Sequence, residues 1–212
     1  MLNIKTFVFN PFQENTFIVS NEKNECIVID AGCYDENEFE RVNTFIKKND
    51  FNPVKLINTH CHIDHILGVE RLKNEFQIDF ACHKDDLFLL NHATEMSRNF
   101  GVPFDNPPVP DSYYSEYDTI KFGVSEIEIM HVPGHSPGSI ALLCKEQSFV
   151  IVGDVLFNGS IGRTDLPGGN YETLIQSIKE KLFVLPDETV VYSGHGPETS
   201  IHKEKNTNPF FI

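Results

Sequence analysis

The sequence predicts a mixed α/β (α+β) chain in which two sheets carry helices on their outer sides. Three observations point there. Runs of β-branched and aromatic residues separated by Asn, Pro and Glu fill the first thirty positions. Each half of the chain then repeats one rhythm, strands followed by a helix with amphipathic spacing. Neither a fixed-period repeat nor a low-complexity tract interrupts that rhythm, and 212 residues suffice for one packed domain spanning 1–212.

Taken in order, Ile4–Phe9, Thr16–Ser20 and Cys26–Asp30 are expected as an antiparallel meander. Asp35 to Asn49 places Phe39, Val42, Phe45 and Ile46 at helical spacing behind an acidic opening turn. A strand over Val54–Asn58 leads into the cluster THCHIDH. Ile66–Phe76 follows as a helix, which would leave the histidines on the connecting loop, where rigid scaffolds usually carry chemistry. A helix is expected from Asp85 to about Phe100. The four prolines in Gly101–Ser115 argue against regular structure there and suggest a lid. Strands at Ser125–Val132, Ser139–Lys145 and Ser148–Gly153, a helix over Tyr171–Phe183 and a strand at Thr189–Ser193 complete the chain.

Composition narrows the function. With 17 basic and 31 acidic residues the formal charge is −14, so a long contact with a phosphate backbone or an anionic membrane is repelled. Nucleic acid and membrane are therefore not expected as partners, although bound cations can reverse the field within one cleft. The five cysteines are scattered and form no C-x-x-C pair, which predicts reduced, buried thiols. The N-terminal stretch has no basic segment followed by an apolar run and cleavage site, so a cytoplasmic protein is expected. No feature specifies an oligomeric state.

Candidate chemistry concentrates in THCHIDH. His60, His62, Asp64 and His65 put four metal-ligand side chains into six residues. Such groups are costly to bury unpaired, whereas imidazole nitrogen and carboxylate oxygen suit zinc, iron or manganese. His135 in PGHSPG, Asp154 in VGD and His195 in SGHG recur downstream, each beside glycine and each where a strand pattern ends. Taken singly, each admits a core or turn role. Together with the cluster they point to one metal site.

These motifs, T-H-C-H-I-D-H, G-H-S-P-G, G-D and G-H-G behind an early I-D-A-G, resemble the metallo-β-lactamase superfamily in order and over nearly the whole chain. Within it the chain resembles the glyoxalase II-like hydrolases. The resemblance implies a four-layer αββα sandwich with two divalent metal ions at one edge, zinc first, with iron or manganese as alternatives. It implies that His60, His62 and His135 hold one metal, that Asp64, His65 and His195 hold the other, and that Asp154 bridges them. A water bridging two such cations has its pKa lowered from about 15.7 to about 7, which makes hydroxide available as a nucleophile at neutral pH. Asp64 and Asp154 are the expected catalytic residues, Asp64 steering that nucleophile.

FNGSIGRTDLPGGNYETLIQSI and SGHGPETSIHKEKNTNPF resemble the short, single-domain members of that group. They imply hydrolysis of a small-molecule thioester, with the glutathione-derived S-lactoylglutathione as the reference substrate. His202 stands where the subgroup usually has glycine and is expected at the surface. Arg163 admits two roles, a clamp for a substrate carboxylate or a structural ion pair with Asp165, the second being favoured. Asp30 either orients a metal-bound histidine or forms a turn. Cys61, flanked by two ligands, is expected to point away from the metals. His83, His92 and His131 are expected in core or surface roles, and Phe12, Tyr113 and Tyr114 either pack or line a cleft. Three competing functions remain: a mononuclear-iron persulfide dioxygenase of the same fold, a β-lactamase, and a non-catalytic scaffold. The last predicts lost ligands, and all seven are present.

Overall fold

A computed structural model describes all residues from Met1 to Ile212, which divide into two compact units, Met1–Tyr113 and Tyr114–Ile212. The first unit opens with β1 (Asn3–Phe9), β2 (Glu14–Ser20) and β3 (Glu25–Ile29), paired antiparallel in the expected meander. Helix α1 (Glu36–Lys48) follows. Asp35 caps it by accepting the Glu38 N–H at 2.9 Å, a contact of about 1 kcal/mol, and Lys47 and Lys48 complement its C-terminal dipole. Strand β4 (Asn52–Ile57) joins β3 in parallel, as a strand does when a helix supplies the crossover.

The stretch expected as one helix from Ile66 is two. A single turn, α2 (Ile63–Ile66), precedes α3 (Val69–Phe76), so Asp64 and His65 lie on a helical turn and only His60 and His62 on the loop. The break falls at Gly68, where a Cβ would lie 2.2 Å from Cys33 Sγ, so only glycine permits that approach. Strand β5 (Phe80–His83), which the sequence pattern did not reveal, runs parallel to β4. A 3₁₀ turn and α4 (Leu87–Asn99) come next.

The proline-bearing segment is irregular over most of its length, but it ends in a short strand, β6 (Ser112–Tyr114), at the edge of the sheet. The expectation that prolines exclude regular structure therefore fails at its last residues, which follow Pro110. The sheet order is β1-β2-β3-β4-β5-β6. Its core packs Phe7, Phe9, Ile18, Val28, Leu56 and Phe80 against helix residues Phe39, Val42, Ile46, Ile66, Val69 and Leu72.

The second unit contains β7 (Thr119–Phe122), β8 (Ser125–His131), β9 (Ile140–Cys144), β10 (Phe149–Gly153) and the small hairpin β11 (Leu156–Phe157) and β12 (Ser160–Ile161). Helix α5 (Tyr171–Ser177) continues into a π-type turn, Ile178–Leu182, which accounts for the longer helix expected to Phe183. Strands β13 (Val190–Ser193) and β14 (Thr199–Ser200) and helix α6 (Ile201–Thr207) close the chain. The sheet order is β14-β13-β10-β9-β8-β7. β8 and β10 both run antiparallel to β9, and β13 runs parallel to β10. Hence β8, β10 and β13 share one direction, and the segments that follow them leave from the same edge. Leu174, Ile178, Leu182 and Ile201 cover the apolar face formed by Val132, Ala141, Val150 and Val191. All five cysteines are free and buried, as expected, and no helix is long and apolar enough to cross a membrane.

Candidate metal centre

In the first unit, parallel pairing of β3 with β4 brings Asp30, after β3, beside Asn58 to His62, after β4. Asp30 has a left-handed backbone with φ 53°, a costly state for a residue with a side chain, and is fully buried. Its Oδ1 accepts the Thr59 N–H and its Oδ2 the Thr59 hydroxyl, both at 2.6 Å. The same Oδ2 lies 3.2 Å from His65 Nδ1.

Proton positions follow from these contacts. The negative Asp30 oxygen beside Nδ1 electrostatically favours the proton of a neutral His65 on that atom. The Thr59 proton is committed to Asp30, so the Thr59 oxygen, 3.2 Å from His60 Nδ1, accepts from that ring as well. Both rings are left with Nε2 as a lone-pair donor, the tautomer a metal requires. Asn58 donates to the carbonyls of His60 at 3.2 Å and His65 at 2.8 Å, bracing the turn between them. Asp86 Oδ2 accepts the Cys61 N–H at 2.9 Å. The Cys61 side chain joins the apolar core and meets Cys82, and burial pushes its thiol well above the ordinary range. His60 and His62 meet edge to face with centroids 4.9 Å apart, and His60 and His65 lie 4.1 Å apart.

The second unit repeats the device. His135 follows β8, Asp154 follows β10 and His195 follows β13, all at the shared strand edge. The Arg163 carbonyl accepts from His135 Nδ1 at 2.8 Å, again leaving Nε2 to donate. Asp154 Oδ2 lies 3.7 Å from His135 Nε2 and 3.5 Å from His195 Nε2, and in the first unit Asp64 Oδ2 lies 3.8 Å from His65 Nε2. These separations are too long for hydrogen bonds. They match two atoms that share an ion, since ligands about 2.1 Å from a tetrahedral cation sit about 3.4 Å apart. Neutral imidazole nitrogens with carboxylate oxygens form a fitting donor set for a divalent transition metal.

Of the remaining candidates, Arg163 clasps Asp165 through two bonds of 2.7 Å, which hold the exposed Asp165 carboxyl down at about 2. His202 is exposed, 3.2 Å from Asp187. His83 is buried and caps the turn at Asp85, His92 bonds the Phe88 carbonyl, and His131 reaches the Pro137 carbonyl. Phe12 packs on Phe100, and Tyr113 is exposed.

The sequence reading missed several groups. Glu14 is fully buried, accepts the Thr16 hydroxyl at 2.9 Å and lies 4.0 Å from His65 Nδ1. Burial pushes its carboxyl well above the ordinary range, with His65 pulling it back and Asp30 pushing it further up. Asn58, Thr59 and Asp86 were also passed over. Phe157, whose ring centroid lies 6.2 Å from that of His195, was missed too. The only sequence signal for Glu14 is a charged residue opening a strand that is otherwise uncharged.

Comparison with known proteins places these features. The model of the metallo-beta-lactamase superfamily matches residues 9–195, a span that includes all seven candidate ligands. A protein of Haemophilus influenzae described as hydroxyacylglutathione hydrolase GloC is 37% identical over 211 residues, covering 99% of this chain and 98% of its own. Among solved structures, the BLEG-1 B3 metallo-beta-lactamase superposes with a TM-score of 0.91 at 33% identity, covering 99% and 100% of the two chains. A protein crystallised in a di-iron-bound form gives a TM-score of 0.88 at 35% identity, covering 97% and 99%. The α/β class read from the sequence is that of these neighbours.

Proposed function

Because the chain belongs to the metallo-beta-lactamase superfamily, we propose that it is a binuclear metal-dependent hydrolase that cleaves a small-molecule thioester. His60, His62 and His135 would hold one divalent metal, Asp64, His65 and His195 the other, and Asp154 would bridge them. The observation that carries this reading is the pre-set tautomer of His60 and His135, each held at Nδ1 by an acceptor within its own unit, with the Asp30 carboxylate 3.2 Å from His65 Nδ1. A pair of bound cations would supply Lewis acidity and a water acidified to neutral range. Zinc is the expected occupant, with iron or manganese as alternatives. The di-iron-bound neighbour supports iron.

The chain's own groups define the remaining tasks. Asp64, whose Oδ2 lies 3.8 Å from His65 Nε2, would accept a hydrogen bond from, and so orient, an attacking water. A thiolate leaving group needs little help from a general acid, because thiols are far more acidic than amines or alcohols. The relative described as a hydroxyacylglutathione hydrolase supports a glutathione-derived thioester as the substrate class. We take 1–212 as one functional domain, and the five free thiols support a cytoplasmic setting.

A thioester panel with metal-quantified protein tests the proposal. Two metals per chain and turnover abolished by chelation are expected. Undiminished cleavage by exhaustively chelated, refolded protein would overturn it, and one iron per chain with oxygen uptake would assign the persulfide dioxygenase chemistry instead. A second reading, β-lactam hydrolysis by the same groups, is favoured by the neighbour described as a B3 metallo-beta-lactamase. Nitrocefin turnover exceeding thioester turnover would select it.

A further inference from the structure

Outside the seven candidate ligands, one buried carboxylate holds together two segments that carry them. Glu204 on α6 is fully buried. Its Oε1 accepts the Thr199 hydroxyl at 2.5 Å, and its Oε2 accepts the Gly159 N–H at 3.0 Å and the Asn208 side-chain amide at 2.7 Å. Three donors from three separate segments converge on this group. Asn208, also buried, donates in turn to the Ser160 carbonyl at 3.0 Å, and its own oxygen accepts the Phe210 N–H at 3.1 Å.

Two of these segments lead to a candidate ligand. Thr199 opens β14, at the end of the loop that bears His195. Gly159 and Ser160 belong to the hairpin β11–β12, which begins two residues after Asp154. That hairpin holds the His195 loop a second time, since Asn158 donates to the Glu198 carbonyl at 3.1 Å, and its Phe157 lies against the His195 ring. Its far end runs through Gly162, where a Cβ would come within 1.9 Å of the Asp154 carbonyl oxygen and 3.1 Å of His135 Nδ1. The next residue, Arg163, offers the carbonyl that orients His135.

We propose that Glu204 is a positioning residue for the metal centre: by clamping the β11–β12 hairpin and the His195 loop together it fixes the orientation of His135 and His195. It touches neither metal nor substrate, and the inference rests on the reading of those histidines as ligands. HKEKNTNPF, a tract that the hydrolytic mechanism leaves without a role, thereby acquires one.

The chemistry of the clamp dictates the test. In Glu204→Gln, an amide nitrogen placed at the Oε1 position donates to the Thr199 oxygen, whose hydroxyl rotates to accommodate it, while the remaining oxygen keeps Gly159 and Asn208. Glu204→Ala loses all three bonds. Thr199→Val removes one hydroxyl and loosens only the His195 side. Histidine ring ¹⁵N spectra of the metal-free proteins report the tautomers without any metal, and chelator competition reports metal affinity.

For Glu204→Ala the expected result is a tautomeric mixture at His135 and affinity lowered about 10-fold or more, the scale for loss of an outer-shell partner. Glu204→Gln should keep the wild-type tautomer and stay within about threefold of wild-type affinity. If Glu204→Ala does not fold, judged by circular dichroism, Thr199→Val carries the test, with shifted His195 ring signals and weakened metal binding expected. A folded Glu204→Ala or Thr199→Val with wild-type ring spectra and wild-type affinity would overturn the proposal, as would a Glu204→Gln as impaired as Glu204→Ala. His135→Ala separates the two levels: if it binds metal like wild type, the ligand reading fails, whereas if it loses metal and Glu204→Ala does not, only the clamp fails.

Discussion

Replacing Asp30 by Asn changes one atom and should disable two ligands. The substitution is isosteric, and asparagine is among the few residues that tolerate a left-handed backbone, so the φ of 53° adds no strain. Oδ1 can remain an acceptor for the Thr59 N–H. Oδ2, which accepts the Thr59 hydroxyl at 2.6 Å and faces His65 Nδ1 at 3.2 Å, becomes an NH₂ that only donates. His65 Nδ1 must then accept, which moves its proton to Nε2. The Thr59 hydroxyl must turn away from position 30, and His60 Nδ1 lies 3.2 Å from it as an acceptor, so that ring is pushed to the wrong tautomer as well.

The Thr59 hydroxyl bond to the Asp30 carboxylate, of a kind that contributes about 1.5–3 kcal/mol, reverses polarity here, and the electrostatic contact with His65 is lost with it. If reorganisation recovers half, the metal-free protein loses about 2 kcal/mol, or roughly 4–8 °C in Tm for a chain of this size. Metal affinity should fall about 10–100-fold, since both rings must shift a proton before binding. Thermal melts of the metal-free protein and chelator competition measure the two effects separately. A folded Asp30→Asn protein that binds both metals with wild-type affinity would refute the tautomer argument.

Asp154→Ala should lose most activity and much of its metal, read by elemental analysis alongside thioester turnover, and a fully loaded, active variant would contradict the bridging role. Gly162→Ala must displace backbone to relieve a Cβ 1.9 Å from the Asp154 carbonyl oxygen; a stability loss of about 1–3 kcal/mol with lowered metal content is expected from melts and metal analysis. The bonds from Lys73 and from the Phe80 N–H hold the Asp111 carboxyl below the ordinary carboxylate range. A depressed folded pKa contributes stability above the unfolded value that disappears as pH falls through the folded one. Protection of the Phe80 amide against hydrogen exchange should therefore decline as Asp111 titrates in acid and be absent at every pH in Asp111→Ala, and protection indifferent to both would show that the bond contributes nothing.

Periodicity and apolar runs made the meander, α1 and the strands β8, β9, β10 and β13 of the second sheet readable, because each shows an apolar face several residues long, whereas β7 and the two-residue β14 went unread. Elements without such a face were missed. β5 is four consecutive buried residues with no alternation, and α6, Ile201–Thr207, is mostly polar and is fastened by Glu204 and Asn208 rather than by an apolar stripe. The candidate ligands were legible because their residue types are rare at such density. Their supports were not: Asp30 and Thr59 are 29 positions apart, and His135 and Arg163 are 28 apart, so those partnerships exist only once strands have paired.

The anchoring of the imidazoles from behind also bears on which element the protein carries. On the proposed reading, side chains already aimed by Asp30, Thr59 and the Arg163 carbonyl would have little left to adjust when an ion arrives, and their nitrogen and oxygen donors would accept zinc, iron or manganese. Intrinsic affinity at such donors rises from manganese through iron to zinc, so cellular supply and not affinity alone would decide the outcome. Cultures grown with different trace elements should yield the same fold with different cargo.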